Sequence, residues 1–143
     1  MKHKSLLAPF IIFQLVLLWV SPAAAVAQPL ASRSTTAASY ARRGAAWAAK
    51  GEYERASADF TYALQLKPHD SWTRAERCGA RVLLGDPGTA ISDCDQALEL
   101  APRIARDWSH RGLARCIKGD FAGAIADFDR AIKLDPGRAE FYR

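Results

Sequence analysis

Histidine, cysteine and methionine are scarce in this chain: three, three and one among 143 residues. The shortage narrows the chemistry at once. No H-E-x-x-H, G-x-S-x-G or phosphate-cradling glycine loop occurs, and "GDPG" at 85–88 reads as a turn and helix start. Cys78, Cys94 and Cys116 stand 16 and 22 residues apart, match no zinc spacing and form no C-x-x-C. His69, beside Asp70, reads as a solvated turn residue. His110 and Cys116, six apart on one helix, are poorly aligned for nucleophilic catalysis. The carboxylates show no convergence along the chain. No enzyme activity, metal or cofactor is therefore expected. Long basic runs are missing too. The formal net charge is +5, yet no block exceeds Arg42-Arg43, so no nucleic-acid partner is expected.

One long apolar run is present, at the start. Lys2, His3 and Lys4 precede an apolar stretch, Ser5 to Val20. Ser21-Pro22 closes it, and Ala25 and Ala27 suit cleavage before Gln28. This order of basic, apolar and small residues predicts a signal peptide over 1–27, exporting the chain to a periplasm-like compartment. The alternative is an uncleaved anchor tethering the chain to the inner membrane. Cleavage would leave 18 Lys and Arg against 15 Asp and Glu, a net charge of +3. Residues 28–36 are rich in Ser, Thr and Ala and read as a flexible leader.

The rest is periodic. Gly51, Gly85 and Gly119 fall 34 apart, as do Ala56, Ala90 and Ala124, then Ala63, Ala97 and Ala131, then Pro68, Pro102 and Pro136. Leu66, Leu100 and Leu134 keep the interval, and Gly44 and Gly112 are separated by twice that. Each unit reads as two helices. The first helices are expected over 37–50, 71–84 and 105–118, stopped by a glycine able to take a left-handed backbone. The second are expected over 53–67, 87–100 and 121–134, capped by Asp86 and Asp120 and more weakly by Glu52, with Pro87 at a first helical position. The prolines end them. Ala56, Ala90 and Ala124 are small enough to let each pair approach at Gly44 and Gly112. A single hairpin cannot bury both its faces, so neighbours must stack. Arg43, Arg77 and Arg111 repeat at 34, as do Asp59, Asp93 and Asp127. Pairing between neighbouring units, Arg77 with Asp59 and Arg111 with Asp93, is the expectation.

Tyr or Trp, Gly, Trp, Ala, Phe, Ala and Pro at these offsets resemble the tetratricopeptide repeat. The third unit carries Trp108, Gly112, Phe121, Ala124, Phe128, Ala131 and Pro136; the first carries Tyr40, Gly44, Trp47, Tyr53, Ala56, Phe60, Ala63 and Pro68. The resemblance implies an all-α, right-handed superhelical stack of three helix-turn-helix repeats, 37–70, 71–104 and 105–138, with 139–143 as the stub of a fourth helix. The middle unit departs from it. Arg74 and Arg81 stand where aromatics are expected, Cys78 replaces the close-contact glycine and Cys94 replaces Phe. The plain expectation is a softer repeat with the cysteines as small core hydrophobes. The alternatives are a surface opened to a partner by Arg74 and Arg81, and a Cys78–Cys94 disulfide joining the two helices.

The resemblance also implies a groove on the first helices that binds a protein or peptide, making the chain an adaptor or scaffold. By offset the groove holds Arg42 and Ala45, with Ala38, Ala41, Ala48 and Ala49 beside them. It continues with Trp72, Ala75, Glu76 and Gly79, flanked by Val82 and Leu83, then Arg106, Ser109, His110 and Leu113, with Cys116 and Ile117. Trp72 is the expected anchor, or else the cover of a joint between units. The Lys and Asn of the family's chaperone-tail clamp are missing, so that specialised ligand is not expected. Phe121, Ile125, Phe128 and Ile132 form one face of the last helix. The edge of Ile125, Phe128 and Ile132 has no following unit to cover it, which makes self-association into a homo-oligomer the alternative function.

Overall fold

The computed structural model describes residues 36–137, and the expected signal segment, nearly all of the leader and the stub at 139–143 lie outside them. Six helices follow one another: α1 (Ala37–Ala49), α2 (Tyr53–Leu66), α3 (Ser71–Leu84), α4 (Pro87–Leu100), α5 (Ala105–Ile117) and α6 (Phe121–Leu134). No strand occurs among the described residues.

The punctuation acts locally. Gly51, Gly85 and Gly119 have φ of +79°, +79° and +85°, a region only glycine enters cheaply. At each stop the N–H one residue beyond the glycine reaches back to a carbonyl of the ending helix: Glu52 to Trp47, Asp86 to Arg81, Asp120 to Arg115. These bonds satisfy carbonyls the helix end would otherwise orphan. The Asp86 side chain then accepts from Thr89 N–H, and Asp120 from Gly123 N–H at 3.0 Å. Glu52 makes no such bond, which fits its weaker capping chemistry.

Within each hairpin one position decides how closely the helices approach. A Cβ on Gly44 would lie 2.8 Å from the Phe60 ring, and one on Gly112 would lie 2.9 Å from Phe128. The ring of the second helix therefore seats on bare backbone of the first. Ala56 adds only a backbone contact there, its carbonyl 3.2 Å from the same point. In the middle hairpin the two equivalent positions are Cys78 and Cys94, and they are joined as a disulfide with Cα atoms 5.5 Å apart. This corrects the reading of the two cysteines as plain core hydrophobes. The Gly and Phe pair of the flanking units is replaced, as a pair, by a covalent link at the same crossing. Both cysteines are fully buried, in a cluster with Val82, Ala90 and Ala114.

The Arg and Asp rows also pair differently from expectation. Arg43, Arg77 and Arg111 grip Asp59, Asp93 and Asp127, each with two hydrogen bonds of 2.6–2.9 Å. These pairs lie within a hairpin, not between hairpins. The aspartates are nearly buried, and a two-pronged guanidinium supplies the bonds a buried carboxylate needs. Arg81 and Arg115 add a further bond each, to Asp93 and Asp127. The link between units comes from the remaining guanidinium nitrogen. Arg77 reaches Thr61 at 3.1 Å and Arg111 reaches Asp95 at 2.7 Å.

Arg74 and Arg81 do not open the middle unit. Arg81 is held by Asp93, and Arg74 bonds Gln96 and the Pro68 carbonyl. Trp108 makes the same bond in the next unit, its indole N–H donating to the Pro102 carbonyl at 2.8 Å. The arginine thus keeps the hydrogen bond of the aromatic it replaces.

Candidate functional site

First helices touch their successors: α1 contacts α3, and α3 contacts α5. Second helices contact first helices but not one another. The array therefore closes on the side of α1, α3 and α5, which form its inner face. The surface of that face is set by residues the core does not claim.

Trp72, Leu83, Leu113 and Ile117 stand 41–58% exposed on it. Four large apolar side chains along one face are costly to leave in water, roughly 25 cal/mol per Å². Trp72 is also fixed in place. Its ring meets Phe60 of the preceding hairpin edge-on, centroids 6.4 Å apart, so it covers the joint and faces outward at once. Arg42 is exposed and Ala45 partly buried. Ala75 and Val82 are correctly placed on the helix but buried, at 0% and 4% exposure. Their sequence assignment to the groove surface is corrected: the close packing of α3 against its neighbours takes both into the core.

The centre of the face is polar. Glu76 and Arg106 form an ion pair across α3 and α5, and Arg106 also approaches Asp107 at 3.5 Å. Burial raises the Asp107 carboxyl above its usual range, against the pull of Arg106. The His110 ring lies over Gly79, where an added Cβ would come within 2.9 Å of it. Burial lowers the His110 pKa to about 4, helped by the Arg106 charge and opposed by a hydrogen bond to the Ala75 backbone. The imidazole is thus neutral at physiological pH, and its buried Nδ1 has no partner among the described residues. Ser109 is spent locally, donating to the Ala105 carbonyl.

A cleft of about 160 Å³ opens beside this cluster, lined by Ala48, Tyr53, Glu76, Gly79, Ala80, Leu83 and His110. Five of the groove candidates, Ala48, Glu76, Gly79, Leu83 and His110, meet in it. Arg42 and Ala45, from the small-residue end of α1, are not in its lining. Tyr53 and Ala80 line it although the repeat offsets do not select them: those offsets count positions facing straight inward, and the cleft is bounded obliquely. A larger hollow, about 390 Å³, lies between the start of α5 and the end of α6, against Arg103, Ile104, Arg106 and Leu134. At the far edge Ile125 is 61% exposed, while Phe128 and Ile132 are partly buried. Among the described residues no three His, Cys, Asp or Glu side chains are grouped to hold a metal ion, and no helix is long and apolar enough to cross a membrane.

The family profile described as Tetratricopeptide repeat matches residues 105–138. Among solved structures, the second TPR domain of human RPAP3, in complex with the HSP70 peptide SGPTIEEVD, superposes with a TM-score of 0.66 at 30% identity, covering 71% of this chain and 84% of that one. The first TPR of Spaghetti (RPAP3), bound to the HSP90 peptide SRMEEVD, gives 0.68 at 26% identity over 72% and 82%. The Sgt2 TPR domain from Aspergillus fumigatus gives 0.66 at 27% identity over 73% and 72%. No curated protein matches the sequence significantly.

Proposed function

Because the chain belongs to the tetratricopeptide repeat family, we propose that it is a non-catalytic adaptor of the cell envelope that binds a protein or peptide on its inner face. The observation that carries this reading is the row of exposed apolar side chains, Trp72, Leu83, Leu113 and Ile117, flanking a small polar cleft. Such a face suits an apolar segment of a partner, with the cleft taking one side chain and setting register. The related RPAP3 domains bind peptides ending in EEVD. Here the expected positions hold no lysine, and of the two arginines on the face Arg106 is already engaged by Glu76, which leaves Arg42 alone to hold an acidic tail. Export is supported by the basic, apolar and small-residue order of residues 1–27. It is supported also by the Cys78–Cys94 disulfide, since buried disulfides persist in oxidising compartments.

The test is capture from the envelope fraction by the chain and by two variants, Leu83→Asp and Ile117→Asp, whose side chains are exposed and whose folding should not change. The expected result is a defined partner retained by the parent and lost from both variants, with an EEVD peptide failing to compete. Identical capture by all three chains would remove the inner face from the function. Mass measurement of the exported chain, expected to begin at Gln28, tests the cleavage.

A further inference from the structure

The internal joints of the stack obey a rule, and the first and last described helices carry halves of it that no other described element meets. Each joint is made by three elements: an arginine reaching back, an alanine packed flat, and an apolar second-helix face. Arg77 reaches Thr61, and Arg111 reaches Asp95, always from a first helix to the second helix of the preceding unit. Advancing the acceptor by the same 34 residues gives Asp129 on α6. Asp129 is exposed and has no partner among the described residues. Stepping the donor back gives Arg43 on α1. Two of its nitrogens hold Asp59, the third bonds nothing among the described residues, and its side chain is 57% exposed against 13% and 14% for Arg77 and Arg111.

The alanines follow the same progression. Ala80 and Ala114 are buried at the joints, at 4% and 0%, while the equivalent Ala46 is exposed. On the other side Leu64 and Leu98 are buried while their equivalent Ile132 is only partly so, and Ile125, equivalent to the partly buried Ser57 and Ile91, is 61% exposed. Repeat arrays that end in solution usually present a polar outer face. Here one end offers an arginine and an alanine in joint register, and the other an aspartate and an apolar face in the matching register.

We propose that the chain stacks head to tail on second copies of itself, α1 of one copy seating on α6 of the next and Arg43 reaching Asp129. The contact uses two different surfaces, so it repeats and forms an open chain of subunits unless curvature closes a ring. It leaves the inner face of α1, α3 and α5 continuous from copy to copy, and it does not depend on what that face binds.

Sedimentation of the purified chain, with the N terminus the cell leaves on it, tests the proposal with two variants. Ala46→Glu blocks the α1 side and Ile125→Asp blocks the α6 side, each at a residue exposed in the single subunit. The parent is expected to grow beyond a dimer as its concentration rises through the micromolar range. Each variant alone should be monomeric with unchanged helicity and melting. An equimolar mixture should give a one-to-one dimer and stop, because each variant retains the face the other has lost. A parent that stays monomeric would mean the faces are covered within the chain or by an unlike partner, and overturns the proposal. So does dimerisation of Ala46→Glu alone, which would mean α6 pairs with α6.

Discussion

Reduction of Cys78–Cys94 should cost stability by a calculable amount. The bond joins residues 16 apart in sequence, one on each helix of the middle hairpin. Closing a loop of that size removes unfolded-chain entropy equivalent to roughly 3 kcal/mol in the chain-entropy account. Both sulfurs stay in place on reduction, so no cavity opens and the loop contribution should dominate. In a domain of roughly 100 residues each kcal/mol moves the melting temperature by about 4–8 °C, so the reduced protein should melt roughly 12 °C lower or more. Because both cysteines are fully buried, reduction must be done on the unfolded chain, followed by refolding in reductant with thiols counted by alkylation and mass. The reasoning makes a second demand. If the disulfide stands in for the Gly and Phe crossing, the double variant Cys78→Gly with Cys94→Phe should fold and melt at one temperature with or without reductant. Oxidised and fully reduced parent proteins melting within about 3 °C of each other would refute the loop argument. Failure of the double variant to fold would refute the equivalence of the two crossings.

Three further outcomes follow from the same geometry. Gly44→Ala places a Cβ 2.8 Å from the Phe60 ring and 3.2 Å from the Ala56 carbonyl; it should lower unfolding free energy by about 1–3 kcal/mol, and Phe60→Leu added to it should restore part of the loss in urea denaturation. Asp93→Asn strands Arg77 and Arg81, 13% and 23% exposed, and should cost about 3 kcal/mol or more, whereas Asp59→Asn, facing the more exposed Arg43, should cost about 1 kcal/mol or less. His110 is held neutral with its pKa lowered to about 4, so the unfolded chain takes up its proton first as pH falls. Its contribution is complete above the ordinary pKa of about 6.5 and is lost between there and about 4, at most roughly 3 kcal/mol. Between pH 6.5 and 5, before most carboxylates titrate, chemical denaturation should show a slope that His110→Gln flattens, and an unchanged slope in that variant would remove His110 as its source.

Helix stops and starts were legible because each depends on a few neighbouring residues. A glycine at positive φ, an aspartate accepting from the third residue on and a proline at the next turn act within one helical turn, and the structure places helix boundaries within a residue of those expected from them. The inner face was legible in outline only. Offsets locate Trp72, Leu83, Leu113 and Ile117, all exposed. The same offsets select Ala75 and Val82, which packing buries, and omit Tyr53, which lines the cleft. Facing direction on a helix is a local property. How much of that direction a neighbour covers is not.

The Arg and Asp rows mark the division most sharply. The 34-residue period and the presence of both rows are properties of the sequence alone. Arg77 and Arg111, however, each have an aspartate 16 residues ahead and another 18 behind, and periodicity treats the two alike. The crossing of the two helices within a hairpin puts the forward one in reach and leaves the third guanidinium nitrogen to span the joint. The cysteines follow the same logic. Their offsets coincide with a glycine and a phenylalanine in the flanking units, but only the contact of Gly44 with Phe60 in three dimensions shows that the two substitutions occupy one crossing and form a bond there.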